Sequence, residues 1–196
     1  MMRCRLKGLV GGIDEAGRGP LAGPVVSSCV IWNGLPESKC GVADSKLLTE
    51  KQREELFPWI TDHAYRVGIG IATSEEIDVL NILNASLLSM ERAVHYAGVI
   101  PDLLLVDGNR KPNNLPDCKT VVKGDRKRFY IACASVVAKV VRDRIMDAYH
   151  FLYPSYNFRQ NKGYPTKAHK MLIGDQGISP IHRKTFRGVK EHLAQE

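Results

Sequence analysis

The stretch Gly12-Ile13-Asp14-Glu15-Ala16-Gly17-Arg18-Gly19-Pro20, behind the apolar pair Leu9-Val10, reads as a strand that ends in two carboxylates and a glycine-rich turn. Gly-Arg-Gly-Pro neither extends a regular strand nor starts a helix cleanly. Asp14 and Glu15 are therefore held at a strand end, beside backbone amides and one guanidinium. Adjacent carboxylates suit a hard divalent cation, and free amides beside an arginine suit a phosphate or a sugar. Metal and phosphate in one turn point toward phosphodiester chemistry.

On either side of that turn, Leu9–Ile13 and Pro24–Trp32 predict two strands. Thr49 with Gln52 makes a capping box for a helix that Pro58 should stop near Leu56. Tyr65, Val67, Ile69 and Ile71 alternate as in a half-buried strand, and Ser74 then caps a short helical turn. Leu83, Leu87, Leu88, Met90, Ala93 and Val94 form an amphipathic helix ending near Gly98. Leu103–Val106, between Pro101 and Asp107-Gly108, predicts a strand buried on both faces, and Cys118–Val122 predicts another. Lys127 to about Tyr149 is the longest helix. Pro165 suits the first turn of a last helix that Gly174 closes. The class is α/β: a mixed sheet flanked by helices, with a small basic helical region at the C-terminal end. The 196 residues make one domain, with the α/β core over about 1–150 and the basic part over about 151–196.

No apolar run is long enough to span a bilayer, and five cysteines without a Cys-x-x-Cys pair argue against a disulfide framework or a zinc site. The chain reads as cytoplasmic. Its net charge of +7 is unevenly placed: the last 46 residues hold eight Lys and Arg against three acids. A second basic cluster is Lys119, Lys123, Arg126, Lys127 and Arg128. Such a footprint fits a polyanion, although a solvated surface also explains it.

Four acids stand at element ends: Asp14 and Glu15, Asp107 after Leu103–Val106, and Asp125 just before the long helix. Asp107-Gly108 is also a turn signal, and Asp125 also suits a helix N-cap. Strand ends in an open α/β sheet converge on one edge, however, and carboxylates gathered there favour Mg²⁺ or Mn²⁺ over zinc. Two-metal displacement at phosphorus fits that set. Successive strand residues face opposite ways, so Asp14 and Glu15 cannot both face one ion from a regular strand. Gly12 to Gly19 has P-loop-like glycine spacing, but Arg18 and Gly19 replace the Lys and Ser/Thr that a nucleoside triphosphate needs. Asn161-Lys162-Gly163-Tyr164-Pro165-Thr166-Lys167 sets an aromatic ring between lysines, suited either to packing on the next helix or to stacking on a base or sugar. Charge and Tyr164 alone would also fit a non-catalytic basic module that binds duplex nucleic acid, which leaves the four acids unexplained.

Read in order, Gly12–Pro24 (GIDEAGRGPLAGP), Asp44–Leu47 (DSKL), Val106–Asn109 (VDGN), Lys123–Asp125 (KGD), Ala132–Arg142 (ACASVVAKVVR), Lys162–Thr166 (KGYPT) and Ile181–Phe186 (IHRKTF) resemble ribonuclease HII, the bacterial type 2 ribonuclease H. The resemblance implies a ribonuclease H-like fold and cleavage of the RNA strand in RNA–DNA hybrids. It also implies incision 5′ of single ribonucleotides in duplex DNA, leaving a 3′-hydroxyl and a 5′-phosphate. By position, Asp14, Glu15, Asp107 and Asp125 would be the catalytic, metal-binding acids for Mn²⁺ or Mg²⁺. Gly17-Arg18-Gly19 would sense the ribose 2′-hydroxyl, Tyr164 would stack on the sugar beside the RNA–DNA junction, and Lys46 would hold a phosphate. The partners are then RNA–DNA hybrid and ribonucleotide-containing duplex DNA, with no membrane; a monomer is the default for a domain of this size.

Overall fold

The computed structural model describes residues 8–36, 42, 48–115 and 118–193. In chain order the elements are β1 (Leu9–Ala16), β2 (Val25–Asn33), α1 (Glu50–His63), β3 (Arg66–Ala72), α2 (Ser74–Leu80) and α3 (Ile82–Ala97). They continue as β4 (Leu103–Asp107), β5 (Cys118–Val121), α4 (Gly124–Lys127), α5 (Phe129–Leu152), α6 (Phe158–Asn161) and α7 (Lys167–Gln176). The sheet order is β3-β2-β1-β4-β5; β1, β2 and β3 pair antiparallel, and β4 and β5 run parallel to β1.

Helices cover both faces. Leu9, Ile13, Cys29 and Ile31 pack under Met90, Ala93, Val94 and Ala97 of α3. Val30 and Trp32, on the other face, pack with Ile60 of α1 and with the small residues of α5 from Ala132 to Val140. Glycines set how closely the helices approach. A side chain on Gly12 would strike the backbone of Tyr130 and Ile131 in α5, and side chains on Gly68 and Gly70 would strike the backbone of α3. The start of α5 therefore lies flat on β1, two residues from Asp14. No described helix is long and apolar enough to cross a membrane.

Several local expectations are corrected. β1 does not stop at Ile13: its pairing with β2 continues through Asp14↔Ser28, Glu15↔Ser27 and Ala16↔Val26, so both acids lie inside the strand. α1 runs through Pro58 to His63, because burial of Ile60 and the packing of Leu56, Phe57 and Trp59 outweigh the proline's cost of about 3 kcal/mol. Thr73, not Ser74, caps α2, through a capping box with Glu76. α7 passes Gly174 and closes at Gly177, with Thr166 as its N-cap and Pro165 outside it. The long helix starts at Phe129, behind an extended Arg128 (φ −133°, ψ 118°) that separates it from α4. Asp125 is thus the second residue of α4 and caps nothing. On one side of Arg128 the Gly124 amide donates to Asp107, and on the other Tyr130 lies on Gly12.

Gly12→Ala should lower stability by roughly 1–3 kcal/mol, because α5 must lift off the sheet. Urea denaturation reads this, and an unchanged midpoint would mean that the contact is slack.

Candidate active site

Parallel pairing of β1 with β4 sets Ile13 beside Val106, which carries Asp14 and Asp107 out at the same sheet edge. Strand alternation splits the adjacent pair. Ser28, opposite Asp14, donates to Ala134 of α5, while Ser27, opposite Glu15, meets Ser89 of α3. Asp14 accordingly turns toward α5, where the Ser135 hydroxyl and the Lys139 ammonium favour its ionised form. Burial nonetheless pushes its carboxyl well above the usual range, and the neighbouring Glu15 and Asp107 add to this. Glu15 is also raised, first by burial and then by Asp107, against the pull of Arg18. The Arg18 guanidinium donates to Glu15 Oε1 at 3.3 Å, whereas Glu15 Oε2 is buried without a hydrogen-bond partner.

Asp107 Oδ1 accepts the amide of Gly124 at 2.6 Å, which ties α4 to the end of β4. A methyl on Gly124 would displace the end of the Ile131 side chain and crowd Val121 and Asp107. Asp125, next along, is buried. Among the described residues no three carboxylate, imidazole or thiol side chains are gathered closely enough to hold a metal ion as they stand. The edge is an open, all-oxygen set in which burial raises the carboxyls of Asp14 and Glu15 and leaves Glu15 Oε2 without a hydrogen-bond partner. That chemistry fits a hard divalent cation.

Gly17 (φ +97°) turns the chain out of β1, and two buried arginines hold the turn from behind. Arg183 donates to the carbonyls of Gly17, Arg18 and Gly23. Arg142, from α5, donates to those of Ala22, Pro24 and Lys162. A side chain on Gly17 would run into Arg142. Burial, and then the charge of Arg142, pushes Arg183 down to about 9, which leaves it cationic at neutral pH. Sequence reasoning assigned no role to these two arginines, nor to Ser135 and Lys139. The only signal was an arginine among apolar or small neighbours, as in Val140-Val141-Arg142.

Glu15, Gly17, Arg18, Gly19 and Tyr164 line one cleft of about 490 Å³. The Tyr164 ring, about half exposed at 47%, stands beside Gly19 and 5.8 Å from the Arg142 guanidinium. Lys162 is not free for a phosphate: its ammonium pairs with Asp147 at 2.6 Å and Glu50 at 3.3 Å. Lys46 and the rest of Asp44–Leu47 lie outside the described residues.

A model of the family described as Ribonuclease HII matches residues 11–189. The chain belongs to that family. It is 50% identical over 188 residues to a ribonuclease HII of Shewanella pealeana, covering 95% of this chain and 92% of that one. It is 52% identical to one from Geobacter metallireducens, covering 94% and 86%. The crystal structure of the ribonuclease H2 from Pyrococcus horikoshii OT3 superposes with a TM-score of 0.74 at 28% identity, over 93% of this chain and 96% of that one. Membership makes the chain a divalent-metal-dependent endonuclease of the ribonuclease H class.

Asp14→Asn removes an anion whose burial and neighbours oppose its charge, so without added metal the variant should melt above the parent. Mn²⁺ should raise the melting temperature of the parent and not that of the variant. Equal shifts in both would show that Asp14 is not a ligand.

Proposed function

We propose that Asp14, Glu15, Asp107 and Asp125 hold Mn²⁺ or Mg²⁺ for hydrolysis of the RNA strand in RNA–DNA hybrids, and for incision 5′ of single ribonucleotides in duplex DNA. The products are a 3′-hydroxyl and a 5′-phosphate, and the chain acts as a cytoplasmic monomer. The observation that carries this reading is the β1–β4 pairing, which brings Asp14, Glu15 and Asp107 to one edge beside the clamped glycine turn. Held by these four acids, two such ions would supply activation of water and charge neutralisation at the leaving oxygen.

The protein's own groups prepare the rest. Ser135 and Lys139 favour the ionised form of Asp14, with the Lys139 ammonium 2.7 Å from the Ser135 hydroxyl. Arg183 and Arg142 occupy the carbonyls of the turn, so what the turn offers a substrate is its outward backbone and the half-exposed Arg18 side chain. A 2′-hydroxyl can both donate and accept there, which a deoxyribose cannot. The buried guanidiniums also place positive charge behind the surface a polyanion would approach. Tyr164 offers a ring for the sugar at the junction. The basic-module reading is set aside, because it gives the acids no task and the family is one of enzymes.

The test is an end-labelled DNA duplex with one ribonucleotide, beside an all-DNA control, with Mn²⁺ and without metal. A single cut 5′ of the ribonucleotide that needs metal is expected, and binding without cutting would restore the module. Tyr164→Ala should slow incision at a lone ribonucleotide by roughly 5- to 150-fold, the worth of one stacked ring. Its melting temperature should hardly change; an unchanged rate would return Tyr164 to packing.

A further inference from the structure

Two buried histidines take no part in the chemistry above: His169, in the first turn of α7, and His182. Their Nε2 atoms are 3.0 Å apart. The other ring nitrogens are engaged too. Nδ1 of His182 lies 2.9 Å from the Ser179 amide and 2.7 Å from the Ser179 hydroxyl, and Nδ1 of His169 lies 2.9 Å from the Tyr164 carbonyl. An amide can only donate and a carbonyl can only accept, so the two ends dictate the middle. Nδ1 of His182 accepts, and its Nε2–H donates to Nε2 of His169. His169 then carries its proton on Nδ1 and donates it to Tyr164. The rings are neutral opposite tautomers, and a proton added to either sets donor against donor.

Their surroundings keep them neutral. The rings of Tyr156 and Phe158 lie against His182, and Phe158 also lies against His169. Burial pushes both imidazoles down, His182 to about 4 with His169 as the second cause. Glu75, Asp78 and Lys184 line a cleft with His182, and Arg183 follows it in the chain. Asp78 is held by the amides of Lys184 and Thr185, and Arg183 by the turn.

The Tyr164 carbonyl also accepts the Thr166 amide, and the Tyr164 amide donates to Asn161, so this backbone is held at each polar group while the ring stays half exposed. The segment bearing His182 bonds to the glycine turn as well: Gly23 donates to Ile181, Arg183 donates to Leu21, and Leu21 donates to Gly163. Turn and tyrosine are thereby joined through one network.

We propose that His169 and His182 are positioning residues for Tyr164, a tautomer-locked pair that fixes the Tyr164 carbonyl and so aims its ring at the substrate beside Gly19. This rests on the reading that Tyr164 contacts substrate.

His169→Asn keeps an N–H near the place of Nδ1, and with it the bond to Tyr164. His169→Gln reaches only the place of Nε2. Asparagine leaves the larger void, so a purely packing role ranks Gln above Asn in both melting temperature and activity. The proposal expects the reverse order for kcat/KM at a lone ribonucleotide. Asn stays within about threefold of the parent, while Gln falls roughly 5- to 150-fold, as Tyr164→Ala does. In a Tyr164→Ala background neither change adds further loss. Gln matching or exceeding Asn, or losses that add, overturn the proposal. In the unmutated protein, ¹⁵N-histidine NMR at neutral pH should show Nδ1–H for His169 and Nε2–H for His182; like tautomers or a charged ring overturn it. An unchanged rate for Tyr164→Ala overturns it from another side, by removing the Tyr164 reading while leaving the tautomer pattern intact.

Discussion

The glycine turn behind β1 depends on two guanidinium groups placed inside the protein against backbone carbonyls. Burying a cation costs several kcal/mol unless its donors are satisfied. Arg142 and Arg183 satisfy it with three carbonyl bonds each, most of them within the segment Gly17–Pro24. The turn that follows β1 has little structure of its own; the arginines supply its rigidity. They also link distant parts of the chain, because Arg142 comes from α5 and Arg183 from the segment after α7.

The acidic edge is an opposite kind of construction. The sheet and α5 bring carboxyl groups together where burial and mutual repulsion disfavour their charged forms. A fold that keeps such an arrangement gives up stability at that spot, as sites prepared for a ligand do. Gly12 and Gly124 permit it: one lets α5 lie on β1, and the other lets α4 reach Asp107. Anionic edge and cation-backed turn are adjacent along β1, so surfaces of opposite charge meet within a few residues.

Legibility in the sequence varied with the range of the forces involved. The capping box at Thr49, the amphipathic α3 with Gly98 at its end, and the apolar run of β4 could all be read locally, because their causes lie within one element. The passage of α1 through Pro58 could not, since its cause is packing against Trp32 and α5. The break at Arg128 between α4 and α5 likewise goes unmarked by the local sequence. Lys162, one of the lysines flanking Tyr164, is paired with Asp147 of α5 and Glu50 of α1, partners that no local stretch names.

By itself the sequence determined the chemistry on offer: carboxylates at strand ends, a Gly-Arg-Gly turn, an aromatic between basic residues, and motifs in the order of one family. Periodicity and residue type act over a few positions, so they are readable without partners. The tertiary structure alone decided which groups meet. β1 pairs with β4 across some ninety residues, Arg183 reaches back to Gly17, and His169 finds His182. Those contacts depend on how whole helices pack against the sheet, a property of the assembled core for which no local stretch carries a signal.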